Sequence, residues 1–152
     1  MNKKRLQIEQ LERKVSPFSP AREVLPPPSG WIKSIRAALG ISLQQLADKL
    51  STTKQNIQQI EQREVEGKIT LKSLREVAAA MDMELVYGLV PKDGSIEALI
   101  ERKARALAGR IVSRTSNTMK LEDQEVSGER LQKAMEDRVE YLKNELPKTL
   151  WD

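Results

Sequence analysis

Apolar residues recur along this chain at the three- and four-residue spacing of helices, interrupted once by a run of strand formers. Leu6, Leu11 and Val15 align within residues 2–15. Trp31, Ile32, Ile35, Ala38 and Leu39 make a stripe that Gly40 ends. Leu46, Ala47 and Leu50 mark a short helix over 43–50, and Ile57 with Ile60 marks another just after it. Leu71, Leu74, Val77, Ala78 and Met81 follow behind Thr70, a cap residue. Farther on, Ile96, Leu99, Ile100, Leu107 and Ile111 predict a helix capped by Ser95 or Asp93. Leu131, Met135, Val139, Leu142 and Leu146 predict a last one, close to a heptad seam, between Ser127 and Pro147. Trp31, Ile35, Leu39, Leu46, Leu50, Ile57, Ile60, Leu74 and Val77 are expected to share one small core.

The run Met83 to Val90, MELVYGLV, changes period, and Pro91 stops it. A lone strand leaves its own backbone unpaired. The same strand of a second subunit is the economical partner, giving a two-stranded sheet across a two-fold axis. The alternative is an extended tail lying on the helices.

The stretch 41–62 carries the most local information. Ser42 and Gln45 have capping-box spacing, and Thr52 with Gln55 repeats it. With Ile57 and Ile60 inward, Gln55, Gln58, Gln59 and Gln62 fall on the outward face. A glutamine amide both donates and accepts, which suits the edge that adenine shows in the major groove. Thr53 and Lys54 sit in the first turn, where a recognition helix reaches deepest. The bland alternative for this ridge is an ordinary solvated helix face. The spacing resembles the helix-turn-helix of phage-repressor (Cro/XRE-type) domains. Ala47 stands at the helix crossing, Ser51 in the turn, and Ile57 and Ile60 at the apolar anchors. The turn residue is most often Gly in that family, and the Cβ of Ser51 makes a left-handed conformation costlier there.

Composition narrows the function classes. The chain has no His and no Cys, which removes histidine triads, thiol chemistry and nearly all zinc sites. No enzyme activity and no cofactor are expected. No stretch approaches a membrane span of about 20 apolar residues, and residues 1–14 lack the apolar centre of a signal peptide, so the cytoplasm is the expected location. The net charge of +4 points to an anionic partner. Basic residues cluster twice. Lys3, Lys4, Arg5, Arg13 and Lys14 lie in the first helix, which reads either as a solvated helix or as an arm for DNA phosphate or a dimer partner. Arg102, Lys103, Arg105, Arg110, Arg114 and Lys120 follow one another with no acid among them. That run is either a solvated face or a phosphate or acidic-protein contact. Pro17, Pro20, Pro26, Pro27 and Pro28 make residues 16–29 an extended linker. Glu122, Asp123 and Glu125 lack calcium-loop spacing and read as solvated.

The longer order of motifs also carries a resemblance. The prolines before GW, then GWIKSIRAALGISLQQLADKL, EGKITLKSLREVAAAMDMELVYGLVP and TMKLEDQ resemble the mobile mystery protein A family over roughly residues 26–146. The resemblance implies a regulator carried on mobile elements beside a companion with a Fic domain, and hence an antitoxin-like role for the C-terminal helices. The Fic-inhibitory helix motif, [S/T]-x-x-x-E-[G/N], is absent: Glu66–Gly67 is preceded by Gln62 at the position that needs Ser or Thr. The expected architecture is mainly α: a basic helix and linker (1–29), a Cro/repressor-type helix-turn-helix domain (30–82), a dimerising β-strand (83–91) and a C-terminal helical extension (95–146). The expected function is a homodimeric repressor of transcription on double-stranded DNA. Ser42, Gln44, Thr52, Thr53, Lys54, Gln55, Asn56, Gln58, Gln59 and Arg63 are the candidate DNA contacts.

Overall fold

The computed structural model describes residues 3–121 and 128–152. Its helices are α1 (Lys3–Val15), α2 (Trp31–Ala38), α3 (Leu43–Lys49), α4 (Lys54–Val65), α5 (Leu71–Ala80), α6 (Ile96–Leu121) and α7 (Gly128–Glu145), with 3₁₀ segments at Ser16–Glu23 and Lys148–Trp151. They form two compact units, Glu23–Tyr87 and the pair Met1–Arg22 with Gly88–Asp152. The carboxylates at 122, 123 and 125, and the cap expected at Ser127, lie outside the described residues.

The Glu23–Tyr87 unit gathers α2 to α5 around Ile32, Leu46, Ala47, Ile57, Val77 and Met81, with Ile35, Leu50, Ile60 and Leu74 partly buried beside them. Two expected core members lie outside it: Trp31 is 45% exposed and Leu39 55%. The cause is the phase of α2. Ile32 and Arg36, four apart, point inward, and Arg36 is held there by an acid on α4.

Four helices of this unit end in the same way, with one left-handed residue and two backward hydrogen bonds. Ile41 N–H donates to the Arg36 carbonyl (2.9 Å), Thr52 N–H to Ala47 (2.9 Å), Lys68 N–H to Arg63 (2.8 Å) and Met83 N–H to Ala78 (2.8 Å). The left-handed residues are Gly40, Ser51, Gly67 and Asp82. At Ser51 the φ of 52° falls on a residue with a Cβ. The same turn moves the start of α4. Thr52 is still closing it, so the cap is Thr53, whose hydroxyl accepts from Asn56 N–H, and not Thr52 as expected. Ser42 and Gln45 form the reciprocal capping box, and Thr70 caps α5.

Beyond α5 no β-strand forms among the described residues. Residues 83–90 run without helix or ladder, because the chain offers no second strand to receive their backbone groups. The strand expected at 83–91 is corrected accordingly. Val86 (71%) and Leu89 (90%) are left exposed.

In the other unit α6 and α7 pack as a hairpin through Ala104, Ala108, Val139 and Leu142, closed by Leu150 from the last 3₁₀ segment. Small residues on α6 let the helices approach. Lys143 bonds Glu101 (2.9 Å), and Arg105 bridges Glu101 and Glu136 (2.9 Å each). Lys143 holds the Glu101 carboxyl below the usual carboxylate range. Helix α1 packs on α6: Arg5 pairs with Glu97 at 2.9 Å, and the Glu12 carboxylate accepts from Ile96 N–H at the start of α6. Residues 16–23, expected to be extended, are 3₁₀. Pro17 and Pro20, three apart, fix φ in a range that this helix also uses. The Phe18 ring then lies on Gly88, where a Cβ would stand 3.0 Å from the ring.

Ser51→Gly relieves a left-handed residue worth about 1–2 kcal/mol, against an entropic loss of about 0.5–1 kcal/mol. The variant is expected to stabilise the Glu23–Tyr87 unit by up to about 1.5 kcal/mol, read as a higher denaturation midpoint with an unchanged slope.

Candidate nucleic-acid interface

Helix α4 has two faces with different chemistry. Ile57, Ile60, Glu61 and Glu64 form the inner one. Ile57 is fully buried and Glu61 is 7% exposed, and each acid meets α2. Arg36 donates through Nε to Glu61 Oε1 at 2.6 Å and through Nη2 to Oε2 at 3.4 Å. Its third nitrogen, Nη1, reaches the Ile41 carbonyl at 3.2 Å. One turn on, Glu64 accepts from Trp31 N–H (2.7 Å) and Ile32 N–H (2.9 Å), the open N-terminus of α2. Gly30 makes room for that carboxylate, since a Cβ there would lie 2.9 Å from Oε1. An acid at a helix N-terminus also meets the positive end of the helix dipole.

The outer face carries the glutamines. Gln55, Gln58 and Gln59 are exposed, as are Lys54 and Arg63. Gln62 is turned to Glu66 by a 2.9 Å hydrogen bond, so of the four amides it is the one engaged within the chain. By helical geometry Gln55 and Gln59 stand near the middle of this face, with Gln58 and Lys54 on one flank and Arg63 on the other.

The remaining candidate residues frame the two helix starts. Thr52 and Asn56 are half-buried and engage each other, the Asn56 amide donating to the Thr52 hydroxyl at 2.9 Å. Thr53 is exposed at the cap. At the start of α3, Ser42 and Gln44 are exposed, and the Gln44 amide donates to Asp48 at 2.8 Å. Sequence reasoning missed Arg36, Glu61 and Glu64. An acid three residues ahead of another acid on a helix with few apolar positions was the available signal, and it reads as solvated until the partner helix is known.

The comparisons agree with this geometry. Residues 32–87 match a family model described as helix-turn-helix, of the Cro/C1 type. The region is therefore an XRE-like helix-turn-helix domain, the class found in DNA-binding regulators. No curated protein matches the chain, and no solved structure does. No helix among the described residues is long and apolar enough to cross a membrane.

Removing Arg36 leaves the Glu61 charge buried without its partner, which costs about 3–5 kcal/mol. Arg36→Ala is expected to lose that much in denaturant unfolding followed at Trp31, in a Trp151→Phe background that leaves one tryptophan. Arg36→Met with Glu61→Leu, which removes both charges, is expected to recover most of it.

Proposed function

We propose that this chain is a sequence-specific DNA-binding regulator of transcription, working as a dimeric repressor of its own operon. The observation that carries the reading is the exposed amide face of α4, held at a fixed rotation by Glu61 and Glu64. In this mechanism α4 enters the major groove. Gln55 and Gln59 read base edges, Gln58 reads from the flank, and Lys54 meets a guanine or a phosphate. Ser42, Gln44, Thr53 and Arg63 contact the backbone and set register. Thr52 and Asn56 keep the first turn in shape.

The dimer of this proposal forms through residues 83–90, two copies pairing antiparallel about a two-fold axis. It is supported by the apolar exposure of that segment and by a cleft of about 390 Å³ beside it, lined by Trp31, Ile35, Leu74, Met83 and Val86 among others. Pairing sets two recognition helices on half-sites one turn apart, about 34 Å.

Gln55→Ala is expected to cost about 1–3 kcal/mol on the footprinted upstream site and little on random duplex. An equal loss on both would remove base reading from this residue. Val86→Asp is expected to keep the helical circular-dichroism signal, shift the protein to monomer in sedimentation, and weaken the operator complex at least tenfold. A dimer of unchanged strength would place the interface elsewhere.

A further inference from the structure

Helix α6 carries cations that its own fold does not use. Arg102 bonds Asp93 (2.8 Å), and Arg105 is taken by Glu101 and Glu136. Lys103, Arg110 and Arg114 have no ion pair or hydrogen bond among the described residues. Arg110 and Arg114 are exposed and Lys103 is half-buried. Seven and eleven residues separate the last two from Lys103, so all three fall within about 40° of one another on the helix. They make a row about 16 Å long at 1.5 Å per residue. Gly109, whose position faces Met135 of α7, stands about 100–140° from the row around the helix, and the partly buried Leu107 borders the row on its side toward the α6–α7 core. No Asp or Glu occurs from residue 102 to residue 121.

We propose that this row is a second DNA contact, a sequence-independent one with the phosphate backbone. It rests on the DNA-binding reading of α4, which brings a duplex to the same molecule. A duplex shows a phosphate about every 3.4 Å of axis on each strand, so a 16 Å row of three cations meets three of them. The chemistry of the row favours this partner. Leu107, the apolar residue beside the row, is committed to the α6–α7 core, so the row offers neither the free apolar centre that a protein interface needs nor the apolar face of a membrane-surface helix. Three phosphate contacts are weak alone, but a second contact on a tethered molecule acts at high effective concentration.

The test is the salt dependence of operator binding by the full chain, with Lys103→Gln, Arg110→Gln and Arg114→Gln combined. Three phosphate contacts contribute about 2.7 to the slope of log K against log salt per protomer. The variant is expected to show a slope shallower by about 2–3 per protomer, with its preference for operator over random duplex unchanged. Arg110→Lys with Arg114→Lys, which keeps the charges, is expected to keep the slope. A triple variant with wild-type slope overturns the proposal, including where the row instead serves an acidic partner protein. If the wild type shows no operator preference while the variant still loses slope, the base-reading role falls and the row stands. A wild type that binds no duplex overturns both.

Discussion

Two carboxylates on one helix fix the geometry of the helix-turn-helix unit. Glu61 and Glu64 stand one turn apart on the inner face of α4, and both are committed to α2, the first through Arg36 and the second through the backbone at Trp31 and Ile32. Apolar packing is not directional. Ile57 and Ile60 alone would hold α4 against its neighbours while leaving its rotation and its height poorly set. An ion pair with two hydrogen bonds, and a carboxylate bridging two N–H groups, remove both freedoms. A buried ion pair adds little net stability over an apolar pair of the same size. Its contribution here is orientation.

That orientation decides what faces solvent. With 57, 60, 61 and 64 turned inward, Gln55 and Gln59 stand outermost. The entry to α4 is fixed as tightly. The chain leaves α3 through the left-handed Ser51, Thr52 returns a hydrogen bond to Ala47, and Thr53 opens the next helix. Nothing in this connection is long enough to swing, so the amides arrive on a rigid frame. For the base reading proposed above that is an advantage, because a backbone frame that needs no ordering loses less entropy on binding.

What was legible in the sequence was what is local. Capping at Ser42 and Thr70 depends on residues three apart, and both were readable. The apolar anchors of α3 and α4 were readable for the same reason. The cap at Thr53 was misplaced by one because the turn that ends α3 uses two residues beyond it. The phase of α2 was misread because a buried arginine breaks the hydrophobic pattern that betrays an inward face. Trp31 looked like core for its size and Arg36 looked like surface for its charge. The partner that reverses both lies 25 residues away. The docking of α1 on α6 rests on pairs some 90 residues apart, Arg5 with Glu97 and Glu12 with Ile96. Leu150, which closes the α6–α7 core, carries no sequence signal beyond being one apolar residue behind a proline. Among the candidate contacts, the surplus of glutamines on one face was visible at once, whereas the diversion of Gln62 to Glu66 was not.

The segment 83–90 presents a problem that one chain does not solve. Among the described residues, none of the backbone groups of 84–90 is bonded to another backbone group. Solvent is the partner open to such groups in a single chain, but water is a poor neighbour for Val86, Tyr87 and Leu89. Tyr87 has partial cover from the Arg75 guanidinium, 5.5 Å from its ring centre. Leu85 is half-buried, so the segment already leans one side on the helices. An extended chain alternates its side chains. Val86 on one side and Tyr87 with Leu89 on the other therefore remain exposed, together with an open edge of N–H and C=O groups. Two copies meeting edge to edge answer both demands at once, each supplying the donors and acceptors that the other lacks. That is the physical ground for the dimer contact proposed above.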